Sequence, residues 1–307
     1  MSPTSVAEWT EFLVSRGVAP GVAALWASTL RPYVQLVAGD ATEVDTTPAR
    51  SSKFGGQADM PAGMAWPTRP RYKLHPARTA RDDDADTDAP VALTFLAQIN
   101  LADVAGFSLD LPLPTSGLLL FFYDVEHQPW GFDTGDAPGS RVVHVPGDAL
   151  TVRCDNPGGT MLRARPISMR AAAGFPAYFS LMETVSTARD FDENEFSKAY
   201  EALEAEMPPL FSSRFGGYSE PIQGEMELEC QLVSNGIYCG DSSETRSPEA
   251  AALAPGFVDW RLLLQLREEF EADGVAWGDS GCVYFWCRHQ DIAAGQFDKG
   301  WTVLQCF

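Results

Sequence analysis

Apolar residues recur at helical spacing near the amino terminus and then give way to short runs broken by turn residues. Val6, Trp9 and Leu13 share one helix face, which opens on the capping box Ser5-Val6-Ala7-Glu8 and stops at Gly17. Pro20 suits the first turn of a second helix carrying Val22, Leu25, Trp26 and Leu30; it ends near Pro32 or resumes beyond it through Val34 and Val37. From residue 50 the pattern predicts strands and turns, with the clearest strands at 91–99, 117–123, 141–145, 260–266, 281–287 and 301–305. A solvent-facing helix is predicted over 192–206, where Phe196, Tyr200 and Leu203 oppose a glutamate-rich side and Pro208-Pro209 supplies the stop. Another is predicted over 224–234, ending at Asn235-Gly236.

The strand pattern occurs twice. Ser52-Lys53-Phe54-Gly55-Gly56 returns as Ser213-Arg214-Phe215-Gly216-Gly217, a match that alone is near chance in a chain of this length. The order of the succeeding strands carries more weight. A strand with Gln98 and a strand opening at Gly117 come after the first mark; a strand with Gln265 and one opening at Gly281 come after the second. The offsets are 161 residues at the Phe-Gly-Gly marks, 167 at the glutamines and 164 at the glycines, within ordinary loop variation. A third strand closes each copy near Val142-Val143 and Thr302-Val303.

Both faces of 117–123 and 281–287 are apolar, so these are expected as central strands covered on both sides. In the preceding strands simple alternation places Leu93, Phe95, Ala97 and Ile99 on one face, as it does Trp260, Leu262, Leu264 and Leu266. Gln98 and Gln265 would then share the opposite face with Leu96 and Leu263. The fold class is α+β, internally duplicated, with mostly antiparallel sheets, packed helices and a helical amino-terminal extension. The organisation reads as a helical segment 1–49, a first copy 50–170, a connecting segment with a helix 171–210, and a second copy 211–307 packed with the first.

Composition narrows the partners. Forty-two acidic against 22 basic side chains give a formal charge of -20, so nucleic acid and anionic membrane meet net repulsion. The same charge suits either a solubilising surface or the capture of a basic protein. No apolar run approaches the roughly 20 residues of a spanning helix, and with no basic stretch and apolar core at Met1-Ser2-Pro3-Thr4 a secretory signal is not expected. The six cysteines, Cys154, Cys230, Cys239, Cys282, Cys287 and Cys306, form no C-x-x-C pair and suit buried free thiols in a reducing, cytoplasmic setting.

The residues also carry a resemblance. Phe54-Gly55-Gly56 with Met60-Pro61 and Trp66-Pro67, then Leu96-Ala97-Gln98-Ile99-Asn100, then Leu113-Pro114, Gly117 and Phe121-Phe122 resemble the YwqG-like family of bacterial proteins. Phe215-Gly216-Gly217-Tyr218 with Pro221-Ile222-Gln223, Leu263-Leu264-Gln265, and Trp277-Gly278-Asp279-Ser280-Gly281 are similar to its carboxy-terminal pattern. The likeness covers about residues 50–307. It implies a compact α+β fold with internal pseudo-symmetry, in a family of unknown function that names no reaction, cofactor or catalytic residue.

Candidate chemistry is sparse. Gly278-Asp279-Ser280-Gly281 spells a serine-protease motif, but none of His75, His127, His144 and His289 has the expected setting, and a turn explains the residues as well. The alternation Asp82, Asp84, Asp86, Asp88 lacks the glycine and glutamate of a calcium loop. Zinc ligands come in close pairs, and the cysteines and histidines do not, so neither metal nor cofactor is expected. Asp124, Glu126, His127, Gln128, Trp130, Asp133 and Asp136 come after the first central strand, and Arg288, His289, Gln290 and Asp291 after the second. Strand ends collect sites, and His127 beside carboxylates is a candidate acid or base, with Asp133 and Asp279 as weak catalytic candidates. The alternative is an exposed hairpin connection.

Ligand-binding or structural polar sites are expected at Gln98, Asn100 and Gln265 and at the marks Phe54, Gly55, Gly56, Phe215, Gly216 and Gly217. The glutamines either satisfy backbone groups of the Phe-Gly-Gly turns or face a polar ligand at the junction of the copies. The leading functional expectation is a non-catalytic binding protein with a basic protein partner, an immunity-like role being a special case. The alternative is a hydrolase acting through His127 and neighbouring carboxylates.

Overall fold

The computed structural model describes residues 5–73, 90–204 and 212–307, so His75 and the alternating aspartates at 82–88 lie outside the described residues. Helices α1 (Val6–Ser15) and α2 (Pro20–Ser28) form where the apolar spacing places them, with Ser5 Oγ accepting from Glu8 N at 3.2 Å. The chain does not resume a helix beyond Pro32. It becomes strand β1 (Arg31–Ala38), where β-branched Val34 and Val37 pair with neighbouring strands and outweigh a helical spacing that only two apolar residues supported.

Nine more strands complete one large sheet: β2 (Lys53–Phe54), β3 (Thr94–Asn100), β4 (Leu118–Tyr123), β5 (Ser140–Val145), β6 (Arg165–Gly174), β7 (Arg214–Phe215), β8 (Trp260–Leu266), β9 (Cys282–Arg288) and β10 (Trp301–Gln305). Their spatial order is β10-β9-β8-β7-β1-β6-β2-β3-β4-β5, and every pairing is antiparallel. The order reads alike from both ends. Five strands on each side match, and the pseudo-dyad falls between β1 and β6. The strand that precedes each Phe-Gly-Gly mark pairs with the mark of the other copy: β1 with β7, and β6 with β2. The repeat therefore reaches beyond the two marks, and the copies are joined by exchanged strands.

A β-bulge at the same place in both copies alters the expected parity. The register shifts between Phe95 and Ala97, and again between Leu262 and Leu264. Leu93 and Phe95 consequently lie on the outer face, while Leu96, Ala97 and Ile99 face the shared core; Trp260 and Leu262 are likewise separated from Leu263, Leu264 and Leu266. One extra residue reverses every side chain after it. Gln98 and Gln265 thus point outward, on the side of the sheet opposite Leu96 and Leu263.

The sheet curls so that its inner face encloses one core. Phe54, Phe121, Phe215 and Phe285 all belong to it, and the rings of Phe121 and Phe285 meet edge to face at 5.1 Å. All six residues of β4 are buried, as are the first six of β9, which accounts for their apolar character on both faces. A helical layer of α1, α2, α3 (Tyr178–Val185) and α4 (Glu193–Glu204) packs around the fully buried Trp26, against which Phe175, Phe196 and Tyr200 lie. Helix α5 (Glu227–Val233) covers the outer face of the second copy through Cys230 and Val233.

Candidate functional site

The duplicated glutamines are fully buried and make the same bonds. Gln98 Nε2 donates to Ser51 O at 2.9 Å and to Asp59 Oδ2 at 2.8 Å, and its Oε1 accepts from Asp59 N at 3.1 Å. Gln265 Nε2 donates to Ser212 O and Glu220 Oε2, both at 2.9 Å, and its Oε1 accepts from Glu220 N at 2.9 Å. The receiving groups flank the Phe-Gly-Gly turns and are not the glycines themselves. Each amide lies within its own half of the sheet.

The glycines have another task. Gly55 and Gly217 hold φ of 58° and 75°, and a Cβ on them would lie 2.4 Å from Arg163 O and 2.7 Å from the Tyr33 Cβ. Their lack of a side chain lets β2 and β7 turn sharply against neighbouring chain. Gly55 N and Gly216 N bond the bulge residues, Leu96 O at 2.8 Å and Leu263 O at 3.0 Å. Gly56 N donates to Leu162 O at 2.8 Å, while Phe54 and Phe215 are fully buried. Asn100 caps a helical turn, Leu101–Val104, by accepting from Ala102 N at 3.0 Å.

His127 is placed by a buried network. Arg69, fully buried, pairs with Asp124 and directs a second nitrogen to His127 Nδ1 at 2.7 Å. Tyr72 OH donates to Asp124 Oδ2 at 2.8 Å, and Asp124 Oδ1 accepts from the backbone N of Glu126 and His127, each at 3.2 Å. Burial pushes the Asp124 carboxyl up, but Tyr72 and Arg69 outweigh it and hold its pKa below the usual carboxylate range. The same Nδ1 lies 3.3 Å from Asp124 Oδ2, so this ring nitrogen is engaged by both partners of the ion pair. Arg69 and Tyr72 lie far upstream in sequence with no motif around them, which hid this network.

Asp133 and Asp279 stand elsewhere. Asp133 is buried and accepts from Gly135 N at 2.8 Å, capping the turn Thr134–Gly139. Asp279 is exposed in the turn before β9, next to Ser280, whose φ is 51°. The loop after β4 clasps the second copy: Gln128 Nε2 donates to Ala276 O at 2.8 Å, Trp130 O accepts from Leu304 N at 3.0 Å, and Gly131 O accepts from Trp301 Nε1 at 2.7 Å. The counterpart cluster is similarly engaged, with Arg288 donating to Ser234 Oγ at 3.0 Å and Asp291 facing Lys299 at 3.3 Å.

An open groove of about 460 Å³ lies between α3, α5 and the segment 257–258. Its floor holds Trp260 and Tyr218, with the Arg31 guanidinium 4.0 Å over the Tyr218 ring. Arg31 and Arg261 both reach Asp110 Oδ2, at 3.4 and 3.6 Å. Leu228, Phe257 and Val258 expose 44, 45 and 58% of their surface along the walls, beside exposed Glu183 and Glu225. Glu227 completes the acidic side, and burial pushes its carboxyl above the usual range. Glu183, Glu225 and Glu227 thus outnumber the two arginines of the lining, which Asp110 also pairs. These residues come from separate segments, and no local pattern joins them.

All six cysteines are free thiols, and burial pushes Cys239, Cys282 and Cys287 up to about 12. Among the described residues no helix is long and apolar enough to cross a membrane. The curled, strand-exchanged sheet and its duplicated amide sites define an internally symmetric α+β protein with one shared core. Residues 52–306 match the family described as a domain of unknown function, DUF1963, and the chain belongs to it. Among curated proteins none matches.

Proposed function

We propose that this chain is a non-catalytic interaction protein of the cytoplasm that holds a basic, apolar-faced segment of a partner protein in the groove between α3 and α5. The observation that carries the reading is the row Leu228, Phe257 and Val258, exposed beside Glu183, Glu225 and Glu227. Exposed apolar side chains rimmed by charge of one sign suit an amphipathic segment of the opposite sign. The overall charge of -20 steers such a partner toward the surface.

Hydrolysis at His127 has less support. A general base works in reach of its substrate, whereas the His127 ring is tied into a structural network, with Nδ1 2.7 Å from Arg69 and 3.3 Å from Asp124 Oδ2.

Fluorescence anisotropy with a labelled amphipathic Lys/Leu peptide tests the proposal. Binding should weaken steeply with ionic strength, and Glu183→Lys with Glu225→Lys should weaken it by about tenfold or more. An acidic peptide of the same apolar pattern should not bind. Affinity indifferent to salt and to the charge reversals overturns the reading.

A further inference from the structure

A second cavity, of about 510 Å³, opens between the helical layer and the second half of the sheet. Tyr33, Phe175, Tyr178, Tyr200, Leu203 and Ile222 give it mostly aromatic and apolar walls. Among the described residues one cation, Arg214, lines it. The Arg214 side chain is 5% exposed, pairs with Glu220, donates from Nη1 to Tyr218 O at 3.2 Å, and lies 4.1 Å over the Tyr33 ring. Its Nε makes no hydrogen bond. A guanidinium nitrogen can only donate, and this N–H sits in an almost wholly buried side chain. Such donors are costly to leave without an acceptor.

The other half of the molecule shows what a closed version looks like. Lys53 holds the position of Arg214, pairs with Asp45 at 2.6 Å and is fully buried. Asp45 is itself saturated by Thr47 and by Gln57 N. The second half has the longer, forked cation and a cavity in front of it.

We propose that this cavity binds an uncharged aromatic compound bearing a carbonyl oxygen, which accepts hydrogen bonds from Arg214 while its ring packs among Tyr33, Tyr178 and Tyr200. A flat apolar body fits aromatic walls. A neutral acceptor fits better than a carboxylate because Glu220 already balances the guanidinium and exposed Glu225 adds negative charge at the mouth. This goes beyond the peptide groove, which shares Pro176, Ala177, Ser219 and Glu225 with the cavity but lacks Arg214.

Calorimetric titration of the full chain with 2-naphthamide, 2-naphthoate and 2-methylnaphthalene tests it. The amide should bind about tenfold or more tighter than the other two, the advantage expected of a hydrogen bond to a buried charge. Ile222→Trp, which fills the cavity, should abolish binding. Tyr200→Ala, which removes a wall, should weaken it and serves if the tryptophan variant does not fold. Glu183→Lys, in the groove alone, should leave amide binding unchanged. Equal affinity for the three compounds, no saturable binding at millimolar amide, or amide binding that survives both cavity variants overturns the proposal.

Discussion

Gln98 and Gln265 stand at equivalent places in the two halves and each bonds a serine carbonyl, a carboxylate and that acidic residue's own backbone N. The carboxylate is Asp59 in one half and Glu220 in the other, and the fully buried amide is what ties each to its strand.

Replacing Gln98 with leucine keeps the volume and removes the amide from Ser51 O and Asp59 N, while Asp59 Oδ2 keeps Arg50 N. Gln98→Leu should cost about 2–4 kcal/mol, the range for leaving buried polar groups unsatisfied, read from urea unfolding. Gln265→Leu should cost less, since Glu220 is more exposed than Asp59. A loss below about 1 kcal/mol in both would mean that the amides are held for a ligand.

Asp45 should make the protein acid-sensitive. Burial pushes its carboxyl up, but hydrogen bonds from Lys53, Thr47 and Gln57 N prevail and hold it at about 2. A depressed pKa gives stability that is present above the usual carboxylate value and is lost as pH falls toward 2. Asp45→Asn should flatten that loss in unfolding curves taken from about pH 5 to about pH 2. At neutral pH it should cost about 3 kcal/mol, because it leaves Lys53 buried without its counter-ion.

Glu229 works in the opposite sense. Burial, then Asp136, pushes its carboxyl up to about 7. A raised carboxyl pKa means stability that is full below the unfolded value, near 4.5, and lost as pH rises through 7. Glu229→Gln should therefore match the wild type near pH 4.5 and exceed it by about 2 kcal/mol near pH 8. Thermal melts across that range check the divergence.

Gly55→Ala should be far more damaging than Gly63→Ala. Both residues hold positive φ, 58° and 82°, but only at Gly55 would the new Cβ strike backbone, Arg163 O at 2.4 Å. The first should cost about 2 kcal/mol or more and the second about 1 kcal/mol. Equal losses in denaturant titration would show that conformation alone sets the need for glycine.

Native thiol titration should find Cys154 reacting first with a disulfide reagent. It is half-buried, while Cys230, Cys282, Cys287 and Cys306 are buried and burial pushes the half-buried Cys239 up to about 12. Rapid loss of several thiols in the folded protein would contradict this packing.

Much of the scaffold can be read along the chain alone. Its apolar runs mark both central strands, its capping box marks α1, and the ordered offsets between marks establish the duplication, because each signal is carried by neighbours within one element. The amides are legible as sites, although their partners at residues 59 and 220 are not. Three-dimensional packing was needed to show that Val34 lies on a strand opposite Phe215, that a bulge turns Gln98 and Gln265 outward, and that Arg69, Tyr72 and Asp124 hold His127. The groove and the cavity at Arg214 belong to the same class. Strand exchange and surface shape arise from segments far apart in the chain, and the long-range packing that sets them leaves no periodic trace in any one segment.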